Sequence, residues 1–148
     1  MNDPAVDLPA TDPAVDPAAD AVPGGSVAEI RRFDRADLRP DNGLVARRLL
    51  PWPALNAPFE GSWCVVPPGS ASGAHGHHEY EIWVGMTGAA EIVCDGRRMP
   101  FAAGDVVHFP PHLHHQVVND GPDEFQMYAV WWDAEMAGRF SARDQASV

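Results

Sequence analysis

Between Leu44 and Trp132 the apolar positions fall into short runs of four to eight residues, broken by glycine, proline and Asx-Gly pairs. Val, Ile, Trp, Phe and Tyr dominate these runs, and FQMYAVWW alternates between two distinct faces along its length. Both features are those of strands rather than helices. The pattern predicts strands at Leu44–Leu50, Gly61–Val66, Glu81–Met86, Ala89–Cys94, Val106–Phe109, His115–Val118 and Phe125–Trp132. Turns are predicted at Pro67-Pro68-Gly69, Thr87-Gly88, Asp95-Gly96, Ala103-Gly104-Asp105, Pro110-Pro111 and Asn119-Asp120-Gly121. Strands so short and so evenly spaced predict an all-β antiparallel sandwich or small barrel. No helical periodicity of useful length precedes Ala134, and the segment 134–148 has room for one short helix, not a helix-turn-helix.

The first 25 residues have a different character. They are built from Asp, Pro, Ala and Val, repeat the unit DPAVD and carry five aspartates without a cation. Such a segment cannot bury a core, so residues 1–25 are expected to be a disordered leader, with the barrel domain over 26–133.

Composition narrows the partners. The net charge of −11 disfavours nucleic acid and anionic membrane, because binding phosphate needs clustered cations. All ten basic residues are arginine, so no lysine amine is present for a Schiff base. Cys64 and Cys94 sit inside apolar runs and read as core thiols. With no signal-like apolar stretch and no long apolar run, a cytoplasmic location is expected.

The chemistry concentrates in HGHHEYEIW, His75 to Trp83, and in HLHHQ, His112 to Gln116. Imidazole nitrogen and carboxylate oxygen together suit Fe, Mn, Ni, Cu or Zn. His75 and His77 are two residues apart, so on an extended segment both rings project to one face. Glu81 follows at the start of a strand. A further ligand must come from elsewhere, and HLHHQ is the obvious donor; composition alone does not choose among its histidines.

Two spacings here resemble the cupin superfamily. Gly69-x5-His75-x-His77-x3-Glu81-x6-Gly88 matches the first cupin motif at every fixed position. Gly104-x5-Pro110-x-His112-x2-His115-x3-Asn119 matches the second, except that His112 stands where glycine is usual. Fifteen residues, Ala89 to Ala103, separate the two motifs. The resemblance implies a single-domain cupin, a double-stranded β-helix or jelly-roll barrel, of the small bacterial metal-binding kind. It implies that His75, His77, Glu81 and His115 hold one divalent transition metal, with Fe(II) or Zn foremost and Mn, Ni or Cu as alternatives. A homodimer is likewise expected from the resemblance alone. At a turn requiring positive φ, His112 would be tolerated better than a β-branched residue.

Alternation from Glu81 puts Trp83 on the ligand face, and alternation from His115 puts Val117 inside. Either face of Phe125–Trp132 suits the pocket; we assign Gln126 and Tyr128 inward, where they would supply hydrogen-bond partners. Trp83, Gln126 and Tyr128 are therefore the candidate pocket residues. One of the adjacent Arg47 and Arg48 must also point inward, where a substrate carboxylate would pair it; exposure on an edge strand is the alternative.

These features lead to a metal-dependent enzyme acting on a small organic metabolite, with Fe(II)-dependent oxygenation as the first expectation. The alternatives are two. One is a zinc cupin of bacterial specialised metabolism that works beside a synthetase-like partner in a non-redox rearrangement forming an N–N bond. The other is a metal-bearing sensor or small-molecule-binding module.

Overall fold

The computed structural model describes residues 28–147. The leader predicted over 1–25 lies outside them. The chain divides at Arg31: residues 28–31 carry no regular element, and the unit from Arg32 onward contains the barrel.

Among the described residues the chain forms ten strands: β1 (Arg39–Asp41), β2 (Leu44–Arg48), β3 (Glu60–Val66), β4 (Ser70–Ala71), β5 (Tyr80–Thr87), β6 (Ala89–Cys94), β7 (Arg97–Ala102), β8 (Val106–Phe109), β9 (His115–Asn119) and β10 (Phe125–Trp132). A helix, α1 (Ala134–Ala146), follows. The strands form a six-stranded sheet, β1-β2-β3-β10-β5-β8, and a four-stranded sheet, β4-β9-β6-β7. Every pairing is antiparallel. This is the all-β antiparallel architecture that the strand spacing predicts, in the jelly-roll form that the cupin resemblance implies.

The core follows from period-two burial. In β10, Phe125, Met127 and Ala129 are buried while Gln126, Tyr128 and Val130 are half-buried on the other side. In β5, Glu81, Trp83 and Gly85 face inward. Opposite them, Ile92, Phe101 and Val117 of the smaller sheet close the interior, and Phe101 meets Phe125 edge-on at 5.6 Å. Burying side chains of this size stabilises the fold by ~1.5–3 kcal/mol each.

β7 escapes a pattern-based reading because Pro100 interrupts RRMPFA. Proline is admissible here because β7 is the outer strand of its sheet. It pairs with β6 across Asp95-Gly96, whose φ values of 50° and 74° suit a two-residue hairpin. At Gly88, φ is 77° and an added Cβ would come 2.6 Å from the Glu124 carbonyl, so glycine is required there.

Candidate metal centre

The two histidine-rich segments are joined by main-chain hydrogen bonds before their side chains meet. His75 N–H donates to His115 O at 3.1 Å and His115 N–H to His75 O at 2.9 Å, an isolated antiparallel bridge. Two residues on, His112 N–H donates to His77 O at 2.6 Å. His112 itself adopts φ 69° and is exposed, which explains how histidine is accommodated at this turn. β5 contributes Glu81 on its inward face, and β9 begins with His115 pointing the same way.

One potential ligand atom from each of His75, His77, Glu81 and His115 lies within 4.8 Å of all the others. His77 Nε2 stands 2.9 Å and His115 Nε2 3.0 Å from the same oxygen, Oε2 of Glu81. His115 Nδ1 lies 2.8 Å from the Leu113 carbonyl, a contact that holds the ring with Nε2 toward the carboxylate. The His115 ring is stacked on Phe109 at 4.0 Å and meets Trp83 edge-on at 5.2 Å. His75 Nδ1 lies 3.1 Å from the Gly73 carbonyl and 3.0 Å from Asn42 Nδ2. Its other nitrogen, Nε2, is the one these contacts leave for a ligand role.

Glu81 is 5% exposed, and its second oxygen, Oε1, accepts from Trp83 Nε1 at 2.7 Å. Burial works to raise this carboxyl group, but hydrogen bonds from His115, Trp83 and His77 outweigh it and hold it below the ordinary carboxylate value. An ionised carboxylate beside three imidazoles, two of them held by partners behind the ring, is the donor chemistry of a divalent transition ion. The residues present fit such an ion.

The centre lies in a cavity of about 410 Å³. Leu44, Ala46, Cys64, Trp83, Met127, Ala129 and Trp131 give it apolar walls. Asp41, Asn42, Arg48, Ser62, Ser72 and Glu79 supply polar edges. The Cys64 thiol within it is pushed up to about 11, mainly by burial, so it stays protonated at neutral pH.

The structure places Trp83 in the cavity wall as expected, but it corrects the assignment of Gln126 and Tyr128. Met127, Ala129 and Trp131 line the cavity, and Gln126 and Tyr128 stand on the opposite face of β10. Outside, Gln126 accepts from Trp63 Nε1 at 3.1 Å and donates to Glu124 at 2.7 Å, while the Tyr128 ring lies over Gly61. The reason is the burial of the apolar set Phe125, Met127 and Ala129, which period two forces onto the inner face together. The polar groups of the pocket come instead from the β1–β2 hairpin, from β3 and from the 72–79 segment. Of the two arginines, Arg48 reaches the cavity, and Arg47 turns outward to the Arg32 carbonyl and Asp37.

Sequence reasoning also passed over Asn42 and Glu79. The signal for Asn42 was present: Asn42-Gly43 is a hairpin dipeptide, with φ of 49° and 82°, and it brings the turn against Gly73 beside His75. Glu79 Oε2 stands 3.2 Å from His77 Nδ1. The contact is at ion-pair distance but out of hydrogen-bonding alignment, so Nδ1 is buried without a hydrogen-bond partner. His78 and His114 are exposed; His78 Nε2 meets Asp133 at 3.0 Å, the residue that caps α1 by accepting from Met136 N–H.

With this geometry established, the comparisons with known proteins agree with it. Residues 62–131 match the model of the cupin domain. The cupin 2 conserved barrel domain protein of Salinispora arenicola CNS-205 is 66% identical, with a TM-score of 0.77 over 80% of this chain and 99% of that one. The plu4264 protein of Photorhabdus luminescens is 35% identical, also with a TM-score of 0.77 over 80% of this chain and 99% of its own. An oxalate-binding protein of Thermotoga maritima is 33% identical over 66 residues, 44% of this chain. That match spans 54% of the curated relative's length. The chain belongs to the cupin family. Among the described residues, no helix is long and apolar enough to cross a membrane.

Proposed function

We propose that the protein is a metal-dependent enzyme acting on a small organic molecule, with Fe(II)-dependent oxygenation as its reaction. The observation that carries this reading is the convergence of three imidazoles and one buried carboxylate within 4.8 Å inside an apolar-walled cavity of about 410 Å³. His75, His77, Glu81 and His115 would hold the divalent ion, which would supply Lewis acidity and, as Fe(II), electrons for dioxygen chemistry. His115 and Glu81 would be held in ligating orientation by the Leu113 carbonyl and Trp83. Trp83, Met127 and Ala129 exclude water and present an apolar surface to the substrate. The same reading takes the protein as cytoplasmic and a homodimer.

The test is elemental analysis of protein purified without chelator, followed by oxygen uptake after Fe(II) loading in the presence of small organic acids, aldehydes and catechols. One iron per chain and substrate-dependent uptake are expected. Stoichiometric zinc without uptake would favour a non-redox rearrangement, and binding without turnover a sensor.

A further inference from the structure

Arg48 has no part in holding the metal, yet it lines the same cavity. It lies on the inward face of β2 with Leu44 and Ala46. Ladder pairing sets it opposite Ser62, Ser62 opposite Ala129, and Ala129 opposite Trp83. This row ends two residues from Glu81. It spans three interstrand steps, at most ~14 Å at the usual spacing. The Arg48 side chain and the imidazoles shorten that distance from both ends, so a molecule of a few carbon atoms can bridge what remains.

The guanidinium is also held in place. Arg48 Nη2 stands 2.9 Å from Asp41 Oδ2 as an ion pair, and Cζ lies 4.8 Å from the centre of the Trp131 ring. An ion pair so exposed, 51% and 33% on its two sides, contributes little to folding. It does fix the orientation of a planar group with five N–H donors, most of which Asp41 does not use. Trp131 is in turn the cross-strand partner of Glu81, so the platform under the guanidinium is tied to the metal-binding strand.

We propose that Arg48 anchors a carboxylate at the end of the substrate remote from the metal. The substrate class is then a small organic acid, bound at one end by the donor cluster and at the other by this guanidinium. The proposal rests on the metal-centre reading for the first end and on Arg48 alone for the second. The local charge favours a monoanion. Asp41 and Glu79 line the cavity besides the candidate ligand Glu81, so a phosphate dianion would meet three carboxylates against one arginine. A single carboxylate matches the fork of one arginine.

The test uses calorimetric titration of the purified protein, metal as isolated, with 3-phenylpropionate and its neutral amide. The acid is expected to bind about tenfold more tightly than the amide, the increment of one charge-assisted hydrogen-bonded contact. In R48Q the margin should fall to near one with metal content unchanged, and R48K should retain part of it. Equal affinity for acid and amide, no detectable binding of either by the wild type, or an undiminished margin in R48Q overturns the proposal. The two readings fail separately. Protein that carries no metal but shows an Arg48-dependent margin keeps the anchor and loses the metal centre. Protein that holds metal while R48Q keeps its margin loses only the anchor.

Discussion

At the floor of the cavity, Glu81 and His115 are 5% and 2% exposed, and each has a fixed partner behind it, Trp83 for one and the Leu113 carbonyl for the other. At the mouth, Arg48 and Asp41 stand half in solvent and hold chiefly each other. The difference lies in what a lost contact leaves behind. A buried donor deprived of its partner stays desolvated, whereas an exposed charge recovers water. The floor should therefore respond to substitution through metal affinity and stability together. The mouth should respond through ligand preference, with the fold left intact.

The largest effect separating the two regions is expected from His115→Ala. It removes a candidate ligand and the ring packed between Phe109 and Trp83. Metal affinity should fall by more than about a hundredfold, beyond what loss of an outer-shell partner produces. Competition with a chromogenic chelator measures it, and near-stoichiometric metal in H115A would disprove the assignment. Trp83→Phe comes next. It keeps the aromatic wall but leaves Glu81 Oε1, a buried carboxylate oxygen, without its donor. About 1–3 kcal/mol of stability in the chelator-treated protein should be lost, together with tenfold to a hundredfold in metal affinity. Unchanged chemical denaturation and metal affinity would show that the contact has no such role.

Glu79→Gln has a smaller expected effect and sharpens the boundary between the regions. Glu79 lines the cavity, yet it approaches His77 Nδ1 without hydrogen-bonding alignment. If an ion on His77 brings the two into line, the glutamine variant should lose up to about tenfold in metal affinity and the alanine variant more. Equal affinity in all three proteins would place Glu79 with the mouth rather than the floor.

The same contrast explains what could be read from the sequence. Part of the floor is encoded by spacing, His75-x-His77-x3-Glu81, whereas the choice of His115 within HLHHQ came from the resemblance to the second cupin motif and not from the residues themselves. Strand periodicity carried the fold for the same reason, since burial alternates with the residue. β7 was missed where Pro100 masks a strand that only an edge position permits. The mouth is encoded by topology. Asp41 and Arg48 flank a hairpin, but their place over the cavity depends on β2 pairing with β3 and β3 with β10, contacts between residues far apart in the chain. Gln126 and Tyr128 were assigned inward because a pocket needs polar groups, a requirement that those long-range pairings meet from the other side of the sheet.

Asp41→Asn is expected to have the smallest effect on the fold and tests whether the mouth is independent of the floor. The substitution keeps an oxygen near Arg48 and removes the charge. Because both partners of the pair are substantially exposed, stability should change by no more than about 1 kcal/mol. Metal content should not change, since Asp41 is outside the donor cluster. With one negative charge fewer in the cavity, the preference for 3-phenylpropionate over its amide should rise severalfold in D41N, and the increase should shrink when the titration is repeated at high salt. A loss of metal would mean that mouth and floor are coupled through the hairpin at Asn42, whose side chain lies 3.0 Å from His75 Nδ1. In that case the β1–β2 turn would belong to the metal site, and the line between the two regions would have to be drawn on the solvent side of Asp41.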